Sequence, residues 1–109
     1  ALALIAERLD EPWQLADMAA SAGMARTRFA ERVHHATGLS PHRWLQRTRL
    51  ERAQELLATR RASITAIAFD CGFASSQHFA AAFKREFGCT PSSWRARGGA
   101  PTTGPETLG

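Results

Sequence analysis

The chain has 109 residues, a formal net charge of +4 and 44% hydrophobic residues, with no tyrosine and two cysteines. That length suits one compact domain or two small lobes sharing a helix, and the scarcity of Val and Ile beside abundant Ala predicts an all-α chain. Excluded are a membrane span, which needs a run of about 18 apolar residues, a disulfide framework, and an enzyme, since no phosphate loop, nucleophile with its base or paired acids can be found.

In chain order, the first element is LALIAERL at Leu2–Leu9, a short helix whose end carries Glu7, Asp10 and Glu11 against Arg8; that end is not expected to face a polyanion. The chain opens on it without an initiator Met or a signal peptide, which reads as a domain cut from something longer. Leu15, Met18, Ala19 and Ala22 then fall at i, i+3, i+4 and i+7, the buried stripe of an amphipathic helix. Gly23 supplies a tight turn, and Phe29 with Val33 marks the inner face of the next helix.

GLSPHRW at Gly38–Trp44 ends that helix and starts another. Gly38 suits the position just past a helix end, Ser40 can cap the next helix, Pro41 fits its first turn, and Trp44 lies where it can fold back on the helix just ended. The new helix runs from Ser40 to Thr59 with apolar Leu45, Ala53, Leu56 and Leu57 on one side. At 1.5 Å per residue it is about 30 Å long.

The pattern then recurs. Ile64, Ile67, Ala68 and Cys71 repeat the earlier stripe behind the Ser63 cap, Gly72 repeats the turn, and Phe79 with Phe83 repeats the Phe29 and Val33 pair. GCTPSSW at Gly88–Trp94 repeats the punctuation 50 positions on. Short helix, glycine turn and second helix form a helix-turn-helix, so the chain reads as two copies of one module joined by a linker helix. The expected layout is a DNA-binding domain over residues 1–97, with a first lobe over 2–39, the linker over 40–59 and a second lobe over 63–97. GGAPTTGPETLG at 98–109 is expected to be a disordered tail.

Charge points to a partner. Between Arg26 and Arg61 nine arginines stand against three acids. Arginine-rich helices are often solvated faces, but two helix-turn-helix units held about one duplex repeat of ~34 Å apart favour nucleic acid. Tandem units on one chain predict a site without palindromic symmetry. A non-specific architectural DNA binder and a helical protein-interaction module are the alternatives.

The residues resemble a known family. SITAIAFDCGFASSQHFAAAFKREFGCTPSSWR is similar to the signature region of the AraC/XylS family of bacterial transcription regulators, in which Gly-Phe-x-Ser, Phe-x-x-x-Phe-Lys and a closing Gly-x-x-Pro-x-x-Trp/Tyr-Arg recur. LADMAASAGMARTRFAERVHHATGLSPHRWL resembles that family's first helix-turn-helix, and LERAQELL its linker. The resemblance covers Leu2 to about Arg95. It implies a seven-helix domain, homeodomain-like in each half, that binds double-stranded promoter DNA in the bacterial cytoplasm at the nucleoid and works with RNA polymerase. A separate effector-binding or dimerisation domain is usual in the family and is missing from this sequence.

Helical geometry and the resemblance together nominate residues. With Phe29 and Val33 inward, Thr27, Ala30, Glu31 and His34 point outward, and the resemblance places base contacts at Arg26, Thr27, Ala30 and Glu31. In the second unit Gln77, Ala81 and Lys84 point outward, and the resemblance adds Ser76 and His78 as base contacts. Gln77 on adenine and Arg26 on guanine are chemically suited pairings. Arg28, Arg43, Ser75 and Lys84 are the phosphate candidates. No His or Cys stands at zinc-ligand spacing, so neither metal nor cofactor is expected, and Cys71, Cys89, Trp44 and Trp94 are expected in the core.

Three positions depart from the family. Ala25 replaces a frequent serine and Val33 an aromatic, which weakens a cap and lightens the first core; Glu31 stands where a basic or amide residue is common. Glu31 either accepts from the N4 amino group of a cytosine or pairs with Arg28 or His35 one turn away. Ala80, Ala81 and Ala82 shorten the second recognition helix.

Overall fold

A computed structural model of the chain describes residues 2–98; the stretch expected to be a tail lies, beyond Gly98, outside the described residues. Seven helices and no strand occur among the described residues: α1 Leu2–Glu7, α2 Leu15–Ser21, α3 Arg26–Thr37, α4 Pro41–Thr59, α5 Ile64–Asp70, α6 Ser76–Phe87 and α7 Pro91–Ala96. The chain divides into two compact units between Arg49 and Leu50, within α4.

The helices repeat as the spacing predicts. Both α2 and α5 have 7 residues, and both α3 and α6 have 12. Each 12-residue helix ends on a left-handed glycine, Gly38 at φ 78° and Gly88 at φ 80°, a conformation that a side chain makes costly. Their N–H groups close the last turns by donating to His34 O at 2.7 Å and Lys84 O at 2.8 Å. Ser40 Oγ then accepts from Arg43 N at 3.3 Å and Thr90 Oγ1 from Ser93 N at 3.1 Å, so both expected caps form.

The helix that opens the chain is shorter than its apolar pattern. It stops at Glu7, so Asp10 and Glu11 stand beyond it. Pro12 explains the stop: it has no N–H to give to the Arg8 carbonyl, and it disfavours helical geometry in Glu11. That carbonyl accepts instead from Glu11 N at 3.1 Å and from Trp13 Nε1 at 2.8 Å.

Each unit has its own core. In the first, Ile5 and Leu9 meet Met18, Ala19, Phe29, Val33 and Leu45, with Trp13 and Trp44 packed against them. In the second, Leu50, Ala53, Leu56 and Leu57 meet Ile67, Ala68, Phe73, Phe79, Phe83 and Trp94, with Cys71 and Cys89 buried among them. Leu2, Ile5 and Leu9 have the same i, i+3, i+7 spacing as Leu50, Ala53 and Leu57. The second half of α4 therefore serves the second unit as α1 serves the first.

An arginine closes each unit onto these elements. Arg49 Nε donates to Leu9 O at 3.0 Å and its terminal nitrogen to Glu11 O at 2.7 Å. Arg95 Nε donates to Leu57 O at 3.2 Å and its terminal nitrogen to Arg60 O at 2.9 Å. Leu9 and Leu57 are equivalent in the repeat, and in both places a guanidinium binds carbonyls at or just past a helix end. Trp94 Nε1 adds a bond to Gln54 O at 3.3 Å.

The two units are unequally reinforced. Phe79 and Phe83 lie 5.7 Å apart, and Phe83 also meets Phe87 at 4.8 Å and Trp94 at 6.3 Å, edge-to-face. The first unit has Val33 where the second has Phe83, and Phe29 forms no ring pair among the described residues. Ser75 Oγ caps α6 by accepting from His78 N at 3.1 Å, whereas Ala25 at the same place before α3 offers no side-chain acceptor.

Two outcomes follow. Phe79→Ala empties a fully buried position and lowers stability by about 3–5 kcal/mol, read as a fall in melting temperature. In urea titrations Ala25→Ser raises stability and Ser75→Ala lowers it, each by about 1 kcal/mol, because one supplies and the other removes an N-cap acceptor.

Candidate nucleic-acid interface

The faces of α3 and α6 turned from the cores are built by the same geometry. With Phe29 and Val33 buried at 2% exposure each, the successive rotation of about 100° per residue carries Thr27, Glu31 and His34 to the opposite side. Arg26, Thr27, Arg28 and Glu31 are exposed and Ala30 is half-buried. In α6, Phe79 and Phe83 are fully buried, leaving Gln77, His78, Ala81 and Lys84 exposed and Ser76 half-buried. Every residue nominated from the sequence thus has a place at the surface of its own unit.

Within the first unit, Thr27, Ala30 and Glu31 line one open groove with His34, His35, Ser40 and Pro41. The groove lies between the outer face of α3 and the start of α4, on which Arg43 is also exposed. The sequence reading did not nominate His35, Ser40 or Pro41 for this surface. The signal was the Gly38 turn, which returns the chain beside the helix just ended.

Most of the nominated side chains are free. Among the described residues, the side chains of Arg26, Thr27, Arg28, Glu31, Arg43, Gln77 and Lys84 make no hydrogen bond or ion pair. Other basic groups are committed: Arg8 to Glu11 at 3.8 Å, Arg52 to Glu55 at 3.1 Å, and Arg49 and Arg95 to main-chain carbonyls. The count of nine arginines in the Arg26–Arg61 segment therefore overstates the number with unengaged guanidinium groups.

Two nominated residues carry constraints. The Ser75 hydroxyl already accepts from His78 N, so it has its proton left to give. The His78 ring stands edge-on to Phe73, with centroids 5.5 Å apart, which fixes its direction although it is exposed. Ala81 offers only a methyl group, suited to apolar contact.

No group of three or more His, Cys, Asp or Glu among the described residues could hold a metal ion, and none of the described helices is long and apolar enough to cross a membrane.

Comparison with known proteins agrees with this architecture. Residues 18–97 match a family model described as a helix-turn-helix domain. The HTH-type transcriptional regulator ExsA of Pseudomonas aeruginosa is 39% identical over 83 residues, which are 76% of this chain and 30% of that regulator. An AraC-type DNA-binding domain structure from Chromobacterium violaceum superposes with a TM-score of 0.85 at 30% identity, over 92% of this chain and 89% of that one. The DNA-binding domain of AdpA, a global transcriptional factor solved with a target DNA, superposes with a TM-score of 0.84 at 35% identity over 88% and 86% of the two chains. The chain spans about a third of the length of the relatives VirF, ExsA and MtrA, each named as a regulator or activator of transcription. The chain belongs to the AraC/XylS family of helix-turn-helix transcription regulators.

Proposed function

We propose that the chain binds double-stranded promoter DNA sequence-specifically, with α3 and α6 each entering one of two adjacent major-groove segments. The observation that carries this reading is the pair of 12-residue helices, equivalent in the repeat, whose outward side chains Arg26, Thr27, Glu31, Gln77 and Lys84 have no partner within the described residues. The AdpA domain, solved with its target DNA, supports it by likeness. So does the length of α4: its 19 residues span about 28 Å, close to the ~34 Å repeat of the groove.

In this reading Arg26, Thr27, Ala30 and Glu31 face bases in one segment, and Ser76, Gln77, His78 and Ala81 face bases in the other. Arg26 is suited to the O6 and N7 of guanine, Gln77 to the N6 and N7 of adenine, and Ala81 to a thymine methyl. Arg28, Arg43, Ser75 and Lys84 hold phosphates, which position the domain without reading sequence. The relatives' greater length supports a further effector-binding or dimerising domain in the whole regulator. RNA polymerase is the expected partner at the promoter, in the bacterial cytoplasm at the nucleoid.

Footprinting checks the two-headed geometry: a monomer protects about 16 to 20 base pairs as two segments on one side of the duplex, and a single short segment refutes it. With about six phosphates neutralised, log K falls against log salt with a slope near −5. A slope near zero removes the DNA reading. Gln77→Ala leaves the melting temperature unchanged and weakens discrimination at one base pair by about 1–3 kcal/mol.

A further inference from the structure

Glu31 is the one acid on α3, and the fold gives it no task. Its neighbours one turn away are Arg28 and His35, yet among the described residues the carboxylate makes neither hydrogen bond nor ion pair. Its direction is specific. Phe29 and Val33 face the core, and a residue midway between them on a helix of about 100° per residue points about 180° from their mean direction. Glu31 is that residue, at the outermost line of the helix. Thr27 and Ala30 beside it are short, so the carboxylate stands forward of the face on which both lie.

An unpaired carboxylate at the leading edge of a helix in the major groove is repelled by the phosphates on either side, and that cost is present on every DNA sequence. It is offset only where a base edge presents a donor. Guanine presents two acceptors and thymine one acceptor, so both repel it; adenine presents a donor beside the N7 acceptor; cytosine presents the N4 amino group without an acceptor next to it. We infer that Glu31 is a specificity-determining residue that accepts a hydrogen bond from a cytosine N4 in the target site and disfavours all other sequences. The inference rests on the reading of α3 as a groove-entering helix. The equivalent position in α6 is Ala81, which has neither the acceptor nor the charge, so this discrimination belongs to one unit only.

Selecting bound sites from random duplex at one salt concentration, with the unmodified chain, Glu31→Gln and Glu7→Gln, tests it. Glu7 is an exposed acid at the end of α1, on neither recognition helix, and its substitution removes the same charge. The unmodified chain is expected to enrich a site with cytosine at one position, preferred about five- to tenfold, the lower part of the range for a base-edge contact. Glu31→Gln should move that position to adenine, whose N6 and N7 an amide matches, leave the other positions in place, and bind unrelated duplex severalfold tighter. Glu7→Gln should leave the preferred sequence unchanged. An unchanged preference in Glu31→Gln, or the same shift in Glu7→Gln, overturns the cytosine contact while leaving the DNA-binding reading intact. No enriched site with the unmodified chain overturns both.

Discussion

One helix belongs to two cores, and the rest of the structure depends on it. Within α4, Leu45 is buried with the first unit, and Leu50, Ala53, Leu56 and Leu57 with the second. Neither unit could complete its core without it: the first needs a closing wall after α3, the second an opening wall before α5. This dual membership also explains why a helix of 19 residues shows little amphipathic contrast over its whole length, since its apolar side changes along the way. A break near Arg49 would remove packing partners from both cores at once.

The arginine bonds follow from the same constraint. Where a chain leaves a helix at the edge of a packed unit, its carbonyls need donors from elsewhere, and an unsatisfied carbonyl removed from water costs about 1–3 kcal/mol. Arg49 and Arg95 reach the equivalent leucine carbonyls from the closing helix of each unit. The basic side chains thus do two kinds of work. Some hold main chain in place and are not available to a polyanion, while those on α3, the start of α4 and α6 project with no internal partner and form the surface on which DNA recognition is proposed.

The two units are copies with different emphasis. The second has the serine cap, the ring cluster and a recognition helix with alanines at its centre. The first has an uncapped start, a valine in place of the second phenylalanine, and the more varied outward face of Arg26, Thr27, Arg28 and Glu31. Packing strength and chemical variety of the outer face are therefore divided between them, the tighter unit carrying the plainer surface.

Much of this was legible in the chain because the signals are local. Apolar stripes at i, i+3, i+4 and i+7, Gly38 and Gly88 at helix ends, and Ser40, Ser63 and Thr90 at helix starts act within one or two turns, so the residues themselves determined seven helices, their repetition and the outward faces of α3 and α6. The early stop of α1 was written in Pro12 but masked by the apolar pattern running on to Leu9, which is buried although it lies beyond the helix. Tertiary structure alone decided which arginines are engaged. Arg49 and Arg95 find their carbonyls 38 to 40 and 35 to 38 residues away, and a main-chain carbonyl carries no residue-specific mark in a sequence. It also decided where α4 passes from one core to the other, because Leu45 and Leu50 are equally apolar and only the surrounding side chains distinguish them.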